Sequence, residues 1–268
     1  MHRIANKSGF GASIVRGDHM KISMAVLGGI AMAVFGQVAG AAEITVLSAG
    51  AIEPGLRAAV AAYEKETRHE VKITFNTAPQ IQKRLGSGET WDVVIAPPAV
   101  IEALAKTGKV EREWVMVGRV GMGVAVRPGA PVPDISSAEA LKKSVLEAES
   151  LVFNRASTGL YFENLLKKMG LYDQVEGKTT RYPDGASVME HVLKGKGKEV
   201  GFGPITEILL YRKKGLKLVG PLPAEVQNYT SYTAAPMTGA TDPKLARELI
   251  RYLGSPAGKA LFVAAGVE

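Results

Sequence analysis

From Ile44 onward, short apolar runs alternate with longer amphipathic ones, and this alternation constrains the chain more than any other feature. Ile44–Leu47 (ITVL), Val71–Phe75 (VKITF), Trp91–Ala96 (WDVVIA), Ser150–Phe153, Lys178–Tyr182, Glu199–Phe202 and Leu216–Val219 read as strands. Leu56–Thr67, Gln80–Leu85, Ala99–Thr107, Ala138–Ala148, Thr158–Met169, Ser187–Lys194 and Ile205–Lys213 carry apolar residues at helical spacing. Pro54 suits the first turn of the first helix, and Gly170 stops the helix ending at Met169. Strand, short loop, helix and strand again is the pattern of a parallel, doubly wound α/β sheet. Two helices, Pro243–Leu253 and Pro256–Ala265, are expected to close the chain.

The rhythm breaks twice. Val115–Val126 (VMVGRVGMGVAV) is long, β-rich and dotted with glycine, and Val226–Ala234 (VQNYTSYTA) alternates again. We read them as two extended crossovers joining two lobes, each a mostly parallel sheet flanked by helices. Residues 42–121 and 231–268 are then one lobe and residues 122–230 the other, flexing near Gly121 and Tyr229. In such a clamshell, strand C-termini and helix N-termini from both lobes meet in one cleft, where open α/β sheets bind ligands.

Lys21, the apolar run Met24–Phe35 and the small-x-small triplet Ala39-Gly40-Ala41 have the layout of a cleavable export signal. Residues 1–41 are thus expected to be extension and signal, with a periplasmic mature chain beginning near Ala42. No cysteine occurs, which excludes a disulfide framework, a thiolate metal site and a Cys nucleophile. The 33 Lys and Arg and 26 Asp and Glu include four bases and one acid before the cleavage site, leaving 29 against 25, a net +4. This mild basic balance, with scattered charges and few aromatics, speaks against nucleic acid and suits ordinary solubility or a small anionic ligand. Only His69 and His191 lie beyond the signal, neither near a strand–helix loop, so no Ser–His–acid set or His metal cluster can be assembled. No cofactor motif stands out, and monomer is the default.

The strand–helix loops are where chemistry could sit, because unpaired N–H groups at a helix start favour an anion. Ser48-Ala49-Gly50 and Thr77-Ala78 follow the first two strands, with helix capping the plainer use of Ser48 and Thr77. Pro97 after the third strand would shape a wall. Asn154-Arg155-Ala156-Ser157-Thr158-Gly159 combines a guanidinium, two hydroxyls and a helix start. Arg155 could there grip a carboxylate with two parallel bonds, or simply be a surface side chain. Asp184-Gly185-Ala186-Ser187 and Gly203-Pro204-Ile205-Thr206 are further loops of this kind. A rival reading, an exported enzyme acting on a small acid, would need a general base, for which Asp184 and Glu207 are the nearby candidates.

The succession ITVLSAGAIEPGLRAAVAAYEKETRHEVKITF, WDVVIAPPAVIEALAKTGKV, ASTGLYFENLLKKMGLYDQV and RELIRYLGSPAGKALFVAAGV resembles the periplasmic solute-binding proteins of ABC importers, in their molybdate-binding-protein-like branch. The resemblance implies a type II periplasmic binding fold, no catalysis, and delivery of a captured anion to a membrane permease. It also implies first-lobe hydroxyls at Ser48 and at Thr77 or Ala78, helix-start amides at Thr158 and near Gly185, and a tyrosine falling on or beside Pro204. Here the usual serine pair is replaced by Thr77-Ala78-Pro79, no tyrosine stands at Pro204, and Arg155 adds a positive charge. These departures favour a small organic carboxylate held by Ser48, Thr77, Arg155, Ser157 and Thr158, with molybdate or tungstate as the alternative.

Overall fold

The computed structural model describes residues 41–268; the n-region, the apolar run and most of the cleavage triplet expected of an export signal lie outside the described residues. The first half comprises β1 (Glu43–Ala49), α1 (Glu53–Thr67), β2 (Glu70–Asn76), α2 (Ala78–Gly86), β3 (Val93–Ala96) and α3 (Pro98–Lys106). The long strand β4 (Val115–Val126) leads to α4 (Ala138–Glu147), β5 (Ser150–Asn154), α5 (Ser157–Lys168), α6 (Tyr172–Val175), β6 (Thr179–Tyr182) and α7 (Gly185–Lys194). Then follow β7 (Glu199–Pro204), α8 (Ile205–Leu210), β8 (Lys217–Pro221), β9 (Tyr229–Pro236), α9 (Pro243–Gly254) and α10 (Pro256–Ala264).

The strands lie in the order β2-β1-β3-β9-β4-β7-β5-β6, with β8 also paired to β4. Within each half the three strands of the βα units are parallel, β2-β1-β3 in one and β6-β5-β7 in the other. The two long strands β9 and β4 run antiparallel to their neighbours. Residues Val115 to Gly121 of β4 pair with β9, whereas Met122 to Val126 pair with β7 and β8. β4 therefore leaves one sheet and enters the other between Gly121 and Met122. Separate apolar cores accompany the two sheets. The first sheet's core gathers Leu47, Ile52, Leu56, Ile81, Ile95, Leu249 and Phe262; the second sheet has one cluster of Met122, Val124, Phe153, Phe162, Leu166 and Phe202 and another of Val152, Val188, Met189, Val192 and Ile208. The fold is thus the expected two-lobed α/β arrangement, and among the described residues no helix is long and apolar enough to cross a membrane.

The side chain of Gln227 clasps the passage between the lobes. Its Oε1 accepts the Met122 N–H at 3.0 Å, and its Nε2 donates to the Met122 carbonyl at 2.9 Å. A second contact joins the halves where Thr206 Oγ1 donates to the carbonyl of Ala51.

Several expected boundaries move. β1 runs through Ser48 and Ala49, expected to be loop, because β1 lies between β2 and β3 and its ladder continues to Phe75 and Ile95 on the two sides of Ser48. The helix expected over Ile205–Lys213 stops at Leu210, with a 3-10 turn over Arg212–Lys214 and Gly215 at φ 99°. The return strand begins at Tyr229, since Ala224–Val226 form a 3-10 turn.

Asp92 locks the first lobe. Oδ2 accepts from the N–H and Oγ1 of Thr45, both at 2.7 Å, and Oδ1 accepts the Thr241 N–H at 2.6 Å. Burial alone would raise its pKa, but these hydrogen bonds from Thr45 and Thr241 outweigh it and hold the carboxyl below the usual range. The stabilisation is therefore complete above the ordinary aspartate pKa and is lost as pH falls through the depressed folded value. We expect Asp92→Ala to cost about 1–3 kcal/mol for each buried donor left unsatisfied, measured by urea unfolding at pH 7, and to flatten part of the acid limb of the stability curve.

Candidate functional site

Six βα loops, three from each lobe, border a single cavity of about 600 Å³ between the lobes. From the first lobe come Ala49, Gly50, Ala51 and Glu53 after β1, Phe75 to Ala78 and Gln80 after β2, and Pro97 after β3. Asn154, Ala156, Ser157 and Thr158 after β5, Asp184 to Ser187 before α7, and Pro204 and Glu207 after β7 face them from the second lobe, with Leu210, Tyr211, Lys214 and Tyr232 completing the wall.

At α2, α5 and α7 a side chain caps part of the helix start, and at α5 and α7 other donors stay free. Asn154 turns its Oδ1 onto the N–H groups of Ala156 and Gly159, both at 3.0 Å, and its Nδ2 onto Thr158 Oγ1 at 3.1 Å. The backbones approach so closely that a Cβ on Gly159 would overlap the Asn154 carbonyl. The Ser157 and Thr158 N–H groups carry no protein hydrogen bond and border the cavity. At α7, Asp184 Oδ1 accepts the Ser187 N–H at 2.8 Å, which leaves those of Gly185 and Ala186 free. At α2, Gln80 Oε1 accepts from the Thr77 N–H at 2.8 Å and from Thr77 Oγ1 at 3.0 Å. These partial positive ends suit an anion's oxygens.

The ionisable side chains in the wall do not add an unpaired cation. Lys214 is bound to Glu190 at 2.8 Å, and Glu53 to Arg57 at 2.7 Å. Glu207 differs from both. Its Oε2 is shielded from solvent and has no hydrogen-bond partner. The carboxyl is wedged between Gly50 and Gly185, so that a Cβ on Gly185 would overlap it. Burial, with repulsion from Asp184 and Glu53, pushes its pKa up to about 8. Tyr232 is held well above the usual phenol range, mainly by burial and further by Glu207.

Of the residues singled out in the sequence, Ala49, Thr77, Ala78, Pro97, Ser157, Thr158, Gly185 and Pro204 line this cavity. Ser48 and Arg155 do not. Ser48 is fully buried within β1, and its hydroxyl donates to the Ala49 carbonyl at 3.2 Å. The Arg155 N–H continues the β5–β6 pairing by donating to the Tyr182 carbonyl at 2.8 Å. Its exposed side chain lines a separate depression with Leu160, Tyr172, Glu176, Thr179 and Arg181. Sequence reasoning missed Gln80 and Tyr232. The capping-box spacing Thr77-x-x-Gln80 and the inward alternation Thr230, Tyr232, Ala234 were the available signals. A tyrosine thus does reach the cleft, but from β9 rather than from the position beside Pro204. Among the described residues no cluster of three or more His, Cys, Asp or Glu could hold a metal ion.

Residues 44–268 match the family model described as bacterial extracellular solute-binding protein. An aconitate isomerase from Pseudomonas sp. is 32% identical over 221 residues, covering 79% of this chain and 82% of that protein. The fold is shared with the periplasmic molybdate-binding protein of Azotobacter vinelandii (TM-score 0.71, 16% identity, 84% of this chain and 98% of that one). It is shared equally with the sulfate-binding protein SubI of Mycobacterium tuberculosis (TM-score 0.69, 17% identity, 84% and 86%).

Because an acid with a raised folded pKa keeps a proton that the unfolded chain has released, Glu207 makes stability fall as pH rises from the ordinary glutamate range to about 8. We expect a slope approaching about 1.4 kcal/mol per pH unit from this group, absent in Glu207→Gln, in chemical unfolding of both proteins between pH 5 and 8.

Proposed function

The chain belongs to the bacterial extracellular solute-binding proteins, and we propose that it is a periplasmic receptor that closes on a small organic polycarboxylate. The permease of an ABC-type importer would take the ligand from it. The observation that carries this reading is the convergence of free N–H groups from α5 and α7, with the start of α2 beside them, on one cavity of about 600 Å³. Several carboxylates on one carbon frame can meet these separated helix starts together. A single tetrahedral oxyanion is small for that space. The relative named aconitate isomerase supports an organic acid as ligand.

Binding and closure are linked in this reading. Residues 42–121 and 231–268 move against residues 122–230, with the crossovers flexing near Gly121 and Tyr229. The ligand favours the closed arrangement because only there do both sets of helix starts reach it. Arg155 has no part in this reading because it faces the separate depression. Molybdate or tungstate is the second reading, favoured by the fold shared with the Azotobacter vinelandii molybdate-binding protein.

Calorimetry of the chain from Ala42 tests the two readings with citrate, cis- and trans-aconitate, tricarballylate, molybdate, tungstate and sulfate. We expect a tricarboxylate to bind and the inorganic oxyanions to give no heat; the reverse pattern returns the protein to oxyanion capture. Asn154→Ala, which releases the α5 start, should weaken the tricarboxylate about 10-fold or more, the loss of a charge-assisted hydrogen bond. Arg155→Ala should leave the affinity unchanged.

A further inference from the structure

An anion receptor gains nothing from a carboxyl group in its wall. Ionised, Glu207 would repel the ligand; neutral, it does no more than a glutamine amide would. Yet Glu207 sits at the floor of the cleft, with Oε1 3.4 Å from where a Cβ on Gly50 of the first lobe would stand and Oε2 against Gly185 of the second. No protein donor neutralises or satisfies Oε2. The ionisable groups around it are Asp184 before α7, Glu53 at the start of α1, Tyr232 on β9, Tyr211 after α8 and, at the rim, Lys214, which is occupied by Glu190. An unpartnered carboxyl that faces the same cavity as several anion-binding helix starts has the makings of an acid–base catalyst.

We propose that Glu207 is the catalytic acid–base residue of an isomerase activity in this cleft, moving one proton between two carbons of a bound unsaturated polycarboxylate. The inference rests on the polycarboxylate reading above and adds turnover to it. In its ionised form, Glu207 takes a proton through Oε1, since Oε2 is sealed against Gly185, from a methylene carbon flanked by a carboxylate and a carbon–carbon double bond. The C–H bond breaks and an O–H bond forms. The electron pair spreads over the three-carbon unit and into the attached carboxylates. Their oxygens meet the free N–H groups of Ser157, Thr158, Gly185 and Ala186, donors aimed where charge develops. The neutral Glu207 then returns the proton to the far carbon of the unit, and the double bond has moved by one position. Nothing is oxidised or reduced, and every atom is recovered. With aconitate, this shift interconverts the cis and trans isomers. A group titrating near 8 supplies both the basic and the acidic form close to neutral pH.

The experiment incubates the chain from Ala42 with cis- or trans-aconitate in D2O and follows isomer ratio and deuterium incorporation by proton NMR, beside calorimetric binding. We expect wild-type protein to exchange and interconvert the isomers, at a rate that climbs with pH towards a plateau above about 8. Glu207→Gln should bind within a few-fold of wild type and lose at least about 100-fold in exchange. Binding by wild type without exchange overturns the inference and leaves the receptor reading intact. Exchange that survives in Glu207→Gln removes Glu207 from the chemistry. Absence of binding by both isomers overturns the polycarboxylate reading and the inference with it. If Glu207→Gln does not fold, the wild-type pH profile decides, since a flat rate between pH 6 and 9 excludes a base with this titration.

Discussion

The peptide units around Met122 are where the two lobes are joined, and the relation between the lobes depends on them. The Met122 N–H is shared by the Asn228 carbonyl at 3.1 Å and Gln227 Oε1 at 3.0 Å. The Met122 carbonyl accepts from Gln227 Nε2 at 2.9 Å and from the Leu222 N–H at 3.1 Å. One residue of the outgoing crossover is thus tied to both ends of the segment leading into the returning one. β4 can then change sheets at that point without leaving buried backbone groups unpaired. Gly121 and Gly123 flank Met122, with Tyr229 and Ile205 packed where side chains would otherwise project. The cleft's position follows: the βα loops of both lobes open beside this junction.

Within the cleft, binding groups and scaffolding are divided between backbone and side chain. The side chains of Asn154, Asp184 and Gln80 are spent on neighbouring groups, and what they leave exposed is backbone N–H. Such donors do not change charge with pH and need no reorganisation when a ligand arrives, so the donor set is fixed by the folded backbone itself. Glu207 is the exception, a side chain with an unmet oxygen among satisfied ones. Its environment resists the charged form through burial and two neighbouring acids. The fold bears this cost at the floor of the cavity.

The relation of this chain to its neighbours has the same division. It shares the architecture of molybdate- and sulfate-binding proteins at 16% and 17% identity, and it is 32% identical to an enzyme of organic acids. A scaffold that collects helix starts from two lobes supplies the cleft and its backbone donors. Function on such a scaffold is set by the few side chains added to the wall.

Most of the architecture was legible before any coordinates. The period-two runs and helical spacings identify the strands and helices, and the two glycine-dotted or alternating stretches identify the crossovers, because backbone geometry imposes those periods locally. The loops that line the cavity could be named for the same reason, since helix starts are local features. Local sequence could not say which way a side chain turns. Ser48 is sealed inside β1 because strands on both sides extend its ladder, and Arg155 faces outward because its N–H pairs with Tyr182 on another strand. Nor could it reveal that Glu207, Gly50 and Gly185, far apart in the chain, share one small space in which a carboxyl keeps its proton. The sequence determined the elements and the loops between them; only the packing of one lobe against the other decided which side chains are stripped of water, because burial depends on residues far apart in the chain.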